Sequence, residues 1–281
     1  MITEATTARL IDGQLLADQV LAKLPRRPGL GTISVGNDLP LQYLNSKQRV
    51  AAMQTGIKLY QRQLPATAAK ARLVSLIHQY NDDETIDAIT VQLSPLAHFN
   101  LNYFATALRP DKDINGLHPV NVKTMIAGRQ AMPMPPLLKA IDTVLKAADL
   151  TLKGKRAVIV IRNEPFREPL TWMLMHQGMA AEWVRPDDPK LAQKTSIADV
   201  LISFCSRPNA ITAVMVKPGA IVIDGGMSWV GPEQWAGDVA PDVEQVASWL
   251  TPVPNGIWPL AIAMLMQNTV QLSQRRQRAS Q

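Results

Sequence analysis

The stretch Leu152-Lys-Gly-Lys-Arg-Ala-Val-Ile-Val-Ile161 decides the fold class. A basic turn runs directly into a continuous apolar strand. A run that does not alternate is buried on both faces, and such strands belong to parallel sheets covered by helices. Working outward, the C-terminal side reads as a helix at Thr171–Gln177 and strands at Glu182–Val184, Val200–Phe204 and Ala220–Ile223, with a closing helix from about Pro259 to Gln274. On the N-terminal side, Leu30–Val35 reads as a strand ended by Gly36-Asn-Asp-Leu-Pro40. Tyr43–Thr55 follows as a helix with Gly56 as its C-cap. Ala68–Tyr80 is a helix, Ala88–Gln92 a buried strand, and Pro136–Ala148 a helix opened by proline. Strands alternating with helices predict an α/β protein of two lobes with a cleft between them.

The composition fits. The chain has 281 residues, 47% hydrophobic and 19% charged, enough to bury one large core or two modest ones. No apolar run approaches the ~18 residues of a membrane span. The first residues, MITEATTARLIDGQ, lack the basic and apolar regions of a secretory signal. The single cysteine, Cys205, permits no intrachain disulfide, so a cytoplasmic location is expected. The +6 formal charge is spread along the chain and is dense only at Arg275, Arg276 and Arg278, read as a frayed, solvated end. That tail is the only feature favouring nucleic acid, and neither nucleic acid nor a membrane is an expected partner. The histidines His78, His98, His118 and His176 have no metal-ligand spacing, so no metal is expected. Met173, Leu174, Met175 and Met179 read as core, and Cys205 as buried and inert.

A tyrosine–lysine pair and four rigid, polar segments punctuate this apolar framework. Tyr43 and Lys47 share one helix face near the carboxyl end of a strand, where open α/β sheets bind ligands. Taken alone, the pair reads as ordinary surface residues rather than as a site. The strand through Val91-Gln-Leu-Ser-Pro-Leu96 ends in Gln92 and a proline-bearing turn. Arg109-Pro-Asp-Lys-Asp-Ile-Asn-Gly-Leu-His-Pro119 is a polar loop, and Pro133-Met-Pro-Pro136 leads into a helix. Thr251-Pro-Val-Pro-Asn-Gly-Ile-Trp-Pro259 stands near the C-terminus.

In order along the chain, these segments resemble the signatures of the methylenetetrahydrofolate dehydrogenase/cyclohydrolase family. Tyr43-Leu-Asn-Ser-Lys47 is similar to its Tyr-Val-x-x-Lys, Val91–Leu96 to Val-Gln-Leu-Pro-Leu-Pro, and Lys112-Asp-Ile-Asn-Gly-Leu-His-Pro119 to Lys-Asp-Val-Asp-Gly-Phe-His-Pro. Pro133–Pro136 resembles Pro-Cys-Thr-Pro, Gly237-Asp-Val239 matches Gly-Asp-Val, and Thr251–Ala261 resembles Thr-Pro-Val-Pro-Gly-Gly-Val-Gly-Pro-Met-Thr. No single motif is specific; their shared order is. The resemblance implies a folate-binding catalytic domain over residues 1–140, completed by a C-terminal helix over 259–281, and a Rossmann-like domain over 141–258. It implies a tetrahydrofolate derivative as substrate and a homodimer. It gives Lys47 the acid–base role in hydrolysis of a methenyl folate, since a partly buried amine can shuttle a proton. Tyr43 would stack on or orient the ring, and Gln92 would hold the lysine or the water. Asp113, Asn115, Pro254 and Gly256 fall at substrate-binding positions.

Two departures qualify that reading. The family's second Asp in Lys-Asp-Val-Asp-Gly, which binds the pterin, falls on Asn115, replacing two acceptor oxygens by one. The first loop is also one residue shorter, Gly36-Asn-Asp-Leu-Pro-Leu-Gln-Tyr43, and lacks the family's serine. The larger change is in the cofactor loop. Where the family has Gly-Arg-Ser-x-x-Val-Gly-x-Pro, this chain has Ile161-Arg-Asn-Glu-Pro-Phe-Arg-Glu-Pro169. Both glycines are replaced, Glu164 and Glu168 add negative charge, and Pro165 removes a backbone donor. Arg162, Asn163 and Arg167 remain as groups that could hold NADP, although the arginines are expected to pair with Glu164 and Glu168. Arg185-Pro-Asp-Asp188 places aspartates where a 2′-phosphate would be read, Trp258 fills space left open by a glycine, and Ala261 loses a hydroxyl. Asp224-Gly-Gly226 reads as a structural turn. The sequence thus supports a cyclohydrolase with weakened or lost NADP-dependent dehydrogenase activity. Two alternatives stand beside it: a bifunctional enzyme with a rearranged cofactor loop, and a non-catalytic folate-like ligand-binding paralogue.

Overall fold

The computed structural model describes residues 7–24, 28–94, 104–129, 133–149, 151–162, 165–232 and 234–279. The chain runs β1 (Arg9–Leu10), α1 (Gly13–Leu21), β2 (Gly29–Val35), α2 (Leu39–Thr55), β3 (Lys58–Leu64), α3 (Lys70–Asp82) and β4 (Ala88–Leu93). Next come α4 (Pro119–Ile126), α5 (Pro136–Ala147), β5 (Arg156–Ile161), α6 (Arg167–His176), β6 (Ala180–Val184), α7 (Leu191–Thr195) and β7 (Val200–Phe204). The last are β8 (Ile221–Asp224), β9 (Ser228–Gly231), β10 (Gln234–Ala236), β11 (Trp249–Leu250) and α8 (Ile257–Ala279). The chain divides into two compact units, Leu16–Lys139 with Ala261–Gln281, and Met1–Leu15 with Ala140–Leu260. The N-terminal strand therefore groups with the second sheet, because Arg9 and Leu10 pair in parallel with Trp249 and Leu250. No helix among the described residues is long and apolar enough to cross a membrane.

The first unit is a parallel sheet in the order β3-β2-β4. The central strand is buried throughout, so both its faces are covered. On one face Ile33, Val35, Ile89 and Val91 pack with Leu73, Ile77 and Tyr80 of α3. On the other, Leu30 and Ala88 pack with Ala51 and Ala52 of α2 and with Ile262, Leu265 and Met266 of α8. This second face changes character along the strands. Leu30 is followed on the same side by Thr32 and Ser34, and Ala88 by Thr90 and Gln92, with Thr32 level with Thr90 and Ser34 level with Gln92. The face is apolar where the strands begin and polar at their carboxyl ends, the usual ligand position in such sheets.

Helix α2 starts earlier than its apolar spacing predicts, because Asp38 caps it: its Oδ1 accepts the Leu41 N–H at 3.1 Å, and Pro40 sits in the first turn. Gly56 closes the helix at φ 70°, as expected. Helix α8 continues through Ala279, and Arg276 is not part of a frayed end. Its guanidinium donates to Ile86 O at 3.0 Å and pairs with Glu84 at 2.9 Å.

The second unit is a Rossmann-like parallel sheet in the order β1-β11-β8-β7-β5-β6. Strand β5 lies between β6 and β7, so the connections diverge there and create a topological switch point. The run Ala157–Ile161 that fixed the fold class is buried at every position.

Candidate active site

In the first unit the polar end of the sheet is bolted to α2. Thr32 Oγ1 donates to Gln48 Oε1 at 3.1 Å, and Ser34 Oγ donates to Asn45 Oδ1 at 2.9 Å. Gln48 and Thr32 are fully buried. Gln48 directly follows Lys47, and Asn45 stands two residues before it, so these bonds set the rotation of the helical turn carrying the lysine. Lys47 and Tyr43 emerge half-buried on the adjoining face. The Lys47 ammonium lies 5.5 Å from the centroid of the Tyr43 ring, a cation–π approach across one helical turn. Burial raises the Tyr43 phenol above its ordinary pKa, so it is a neutral hydroxyl near neutral pH. Gln92, level with Ser34 on the neighbouring strand, has its Oε1 sealed from solvent with no hydrogen-bond partner among the described residues. The proline turn that follows, Pro95 onward, lies outside the described residues, as does His98.

The polar loop is fastened alongside β4. Ile89 N donates to Lys112 O at 2.7 Å, Ile114 N donates to Ile89 O at 3.4 Å, and Asp113 bridges Ile89 in parallel. The register brings Asn115 to Thr90, and Asn115 Nδ2 donates to Thr90 Oγ1 at 3.0 Å. Asp113 is buried and turned inward. Its Oδ2 accepts from His118 N at 2.7 Å and from Asn121 Nδ2 at 2.9 Å, and it shapes the loop. Burial pushes its carboxyl pKa up, and the donors from His118 and Asn121 only partly offset this. Gly116, at φ 64°, completes the bend, and a Cβ there would lie 2.9 Å from the Pro135 ring. The Pro133–Pro136 turn thus packs directly against the loop that carries Asn115. Asn268 of α8 holds the turn from behind, donating to Met134 O at 2.8 Å.

Several of these residues had no assigned role in the sequence reading. Lys112 is fully buried, and its Nζ donates to the carbonyls of Tyr80, Asn81 and Asp83 at the end of α3. Nothing local distinguishes it from the solvated lysines of any polar loop. Gln48, Thr90, Asn121 and Asn268 are equally ordinary in sequence; each acts through a partner distant along the chain.

The remaining predicted positions belong to the second unit. Pro254 and Gly256 lie in the Thr251–Pro259 turn, where Thr251 Oγ1 accepts the Asp224 N–H at 2.8 Å. A Cβ on Gly256 would stand 2.4 Å from Pro252 O, so close backbone approach requires glycine there. Arg162 is exposed at the end of β5; Asn163 and Glu164 lie outside the described residues. The Arg167 guanidinium sits 4.1 Å from the centroid of the Trp183 ring on β6, with only a long 3.7 Å approach to Glu168. The expected Arg167–Glu168 pair is therefore secondary to an arginine–indole stack, since Glu168 points to solvent with its side chain 71% exposed. Arg185 pairs with Asp187 at 2.9 Å, and Lys194 pairs with Asp188. Trp258 donates from Nε1 to Gly225 O at 3.2 Å and meets Phe204 edge-on.

The Asp224-Gly-Gly226 turn is the centre of a buried carboxylate network. Asp224 accepts backbone N–H groups from Gly226, Asp238 and Val239 at 2.8, 3.0 and 3.0 Å. Asp238 accepts from Ser203 Oγ, Cys205 N and Arg207 N. Burial, with Asp238 close by, pushes Asp224 up to about 7, and burial pushes the Cys205 thiol up to about 12. That thiol is inert at neutral pH, as its position after a buried strand led one to expect.

Comparison with known proteins converges on one family. The profile of the tetrahydrofolate dehydrogenase/cyclohydrolase catalytic domain matches residues 3–115, and that of its NAD(P)-binding domain matches residues 135–277. A bifunctional protein FolD from Syntrophotalea carbinolica is 33% identical, covering 97% of this chain and 98% of that protein. One from Moorella thermoacetica is 34% identical, covering 95% and 99%. The structure of the Trypanosoma brucei methylenetetrahydrofolate dehydrogenase-cyclohydrolase, solved with NADP and an inhibitor, superposes with a TM-score of 0.89 at 28% identity, covering 97% of this chain and 99% of that one.

Proposed function

The chain belongs to the tetrahydrofolate dehydrogenase/cyclohydrolase family, and on that premise we propose that it hydrolyses a methenyl-bridged tetrahydrofolate to the 10-formyl form with Lys47 as acid and base. The observation that carries this reading is the half-buried Lys47 ammonium held over the Tyr43 ring, on a helical turn pinned by Thr32 and Ser34. The Lys47 Nζ takes a proton as water adds to the cationic bridge carbon. The hydroxylated intermediate then loses its hydroxyl proton to solvent as the carbonyl forms. The carbon–N5 bond breaks, and the Lys47 ammonium returns its proton to N5. One water is consumed and one proton released. The buried Oε1 of Gln92 is an acceptor suited to orienting the water or the ammonium, since a sealed carbonyl without a donor is costly. Tyr43 offers a ring face to the pterin. Asn115 takes the ring-contacting role, and Asp113 holds the loop.

The same reading has NADP-dependent hydride transfer weakened or lost. NADP would need backbone donors and positive potential at the start of α6. The first turn of that helix instead carries Glu168, Arg167 is folded onto Trp183, and the cations near β6 are paired with aspartates. These groups fit a dinucleotide diphosphate poorly. A second reading, with both activities retained, draws support from the intact parallel sheet and from the match of residues 135–277 to the NAD(P)-binding domain.

The decisive measurement follows loss of methenyltetrahydrofolate absorbance with the wild-type chain and with Lys47→Met. General acid–base catalysis contributes about 10²–10⁴-fold, so a loss of that order is expected with an unchanged melting transition. A rate that survives the substitution removes Lys47 from the mechanism.

A further inference from the structure

We propose that the second unit supplies its own aromatic occupant for the nicotinamide half of a dinucleotide site: Trp258, braced by Phe204, fills the position of the cofactor's reactive ring. The inference rests on and deepens the reading that NADP binding is weakened. The altered loop acts on the diphosphate, whereas the aromatic pair acts independently on the ring.

Strand register places Phe204. It is the last residue of β7 and stands level with Ile161, the last residue of β5. These two strand ends flank the switch point, where a dinucleotide lies across the carboxyl edge of such a sheet. The diphosphate belongs at the start of α6, and the adenine half beyond it toward β6. The nicotinamide half therefore falls on the other side, over the ends of β7 and β8. There β8 runs into Gly225, whose N–H donates to Ser203 O at 2.8 Å. The Phe204 ring lies directly on this glycine, and a Cβ on Gly225 would collide with its Cε1. The carbonyl of the same glycine accepts the Trp258 indole N–H at 3.2 Å. The two rings meet edge-on at 82°, with centroids 6.5 Å apart.

Trp258 is also held from behind. Thr251 is buried, and its hydroxyl accepts the N–H of Asp224, the residue before Gly225. Gly256, pressed against Pro252 O, closes the same turn two residues before Trp258. An indole is flat and presents one N–H; a nicotinamide ring is flat and presents a carboxamide N–H₂. Trp258 thus takes both the area and the backbone acceptor that a cofactor ring would use there. Displacing it gives up the bond to Gly225 and the edge-on contact with Phe204 together. Trp258 and Phe204 are therefore specificity-determining residues: they set which half of a dinucleotide the unit accepts.

The test uses the full-length chain and two probes, NADP and 2′-phospho-ADP-ribose, which is the same molecule without its nicotinamide ring. Both are titrated by calorimetry, to millimolar concentration, into the wild type, Trp258→Ala, and the double variant Trp258→Gly with Phe204→Ala. Folding is read by thermal melting. The wild type should bind the two probes with dissociation constants within about twofold, because the ring gains no contact. The double variant should bind NADP roughly tenfold more tightly than the fragment, with its affinity for the fragment unchanged. Trp258→Ala, the milder change, should move the ratio the same way by several-fold. A wild type that already prefers NADP by about tenfold overturns the proposal without any variant, and the loop reading survives if the fragment stays weak. Low-micromolar binding of both probes to the wild type at a ratio near one sinks the loop reading and supports the proposal. A ratio that stays near one in the folded variants, or no binding of either probe to any of them, overturns the proposal and leaves weakened NADP binding intact.

Discussion

The ammonium of Lys112 donates to the carbonyl oxygen of Asn81 at 2.7 Å, joining the polar loop to the last turn of α3. Two more carbonyls, from Tyr80 and Asp83, complete its shell. A helix C-terminus leaves its last carbonyls without intrahelical partners and carries partial negative charge, so a buried cation is stabilised there. Burial, reinforced by Arg276 and Arg109, lowers the Lys112 pKa, yet three acceptors keep the charge in place. Lys112→Met retains the bulk and removes every donor. It should lower the unfolding free energy by about 1–3 kcal/mol, the range for stranding a buried acceptor. The midpoint in urea should fall with its slope unchanged; a midpoint within error of wild type would show that the loop does not depend on this tether.

How much of this was legible in the sequence follows from the range of each interaction. Ala157–Ile161 announced a doubly covered parallel strand because burial on both faces writes itself into consecutive residues. Strand β3, Lys-Leu-Tyr-Gln-Arg-Gln-Leu, was not recognised: as an edge strand it carries polar residues at most positions and has no apolar run. That Lys47 and Tyr43 share one helix face was legible because their spacing is local to one helix. Thr90 could not be linked to Asn115, nor Thr32 to Gln48, because those pairs form through strand register and helix packing. Asp113 fell at a substrate-binding position by resemblance alone; the bonds its Oδ2 accepts from His118 N and Asn121 Nδ2 form across the loop and carry no sequence signal.

The Thr32–Gln48 bond offers a test of how α2 is held. Both groups are buried, so Thr32→Val leaves Gln48 Oε1 without its donor and should cost about 1–3 kcal/mol. Replacing both residues, Thr32→Val with Gln48→Leu, should recover much of that loss, because the stranded acceptor is gone. A double-mutant cycle in denaturant reads the coupling directly. Strict additivity of the two single changes would mean the bond contributes nothing.

Asp224 sets a pH dependence in the second unit. Its folded pKa of about 7 lies above the ordinary 3.8, so the folded state holds a proton that the unfolded chain releases between those values. The contribution is fully present below about pH 4 and is lost as pH rises through 7, a span corresponding to about 4 kcal/mol at most. Unfolding free energy should therefore increase as pH falls from 8 toward 5, with Asp113 and Asp238 acting in the same direction. Asp224→Asn should be less stable overall, since an amide N–H₂ would face backbone donors, but its profile should be flatter. A profile as steep as wild type would place the titration elsewhere.

The proposed weakening of NADP binding makes a prediction about the arginine–indole stack. A guanidinium lying on an indole gains cation–π attraction, and pulling it away toward a phosphate forfeits that contact, although its Nε is buried without a hydrogen-bond partner among the described residues. Glu168, in the first turn of α6, opposes an incoming diphosphate; like charges a few ångströms apart repel by about 1 kcal/mol each in water. Titrating NADP into the wild-type chain by calorimetry should give a dissociation constant weaker than about 100 μM. Glu168→Gln should tighten whatever binding remains by roughly fivefold, in line with relief of one repulsive charge. Low-micromolar affinity in the wild type would mean that Arg167 leaves Trp183 when the cofactor arrives, and that the second unit keeps its dinucleotide site despite the altered loop.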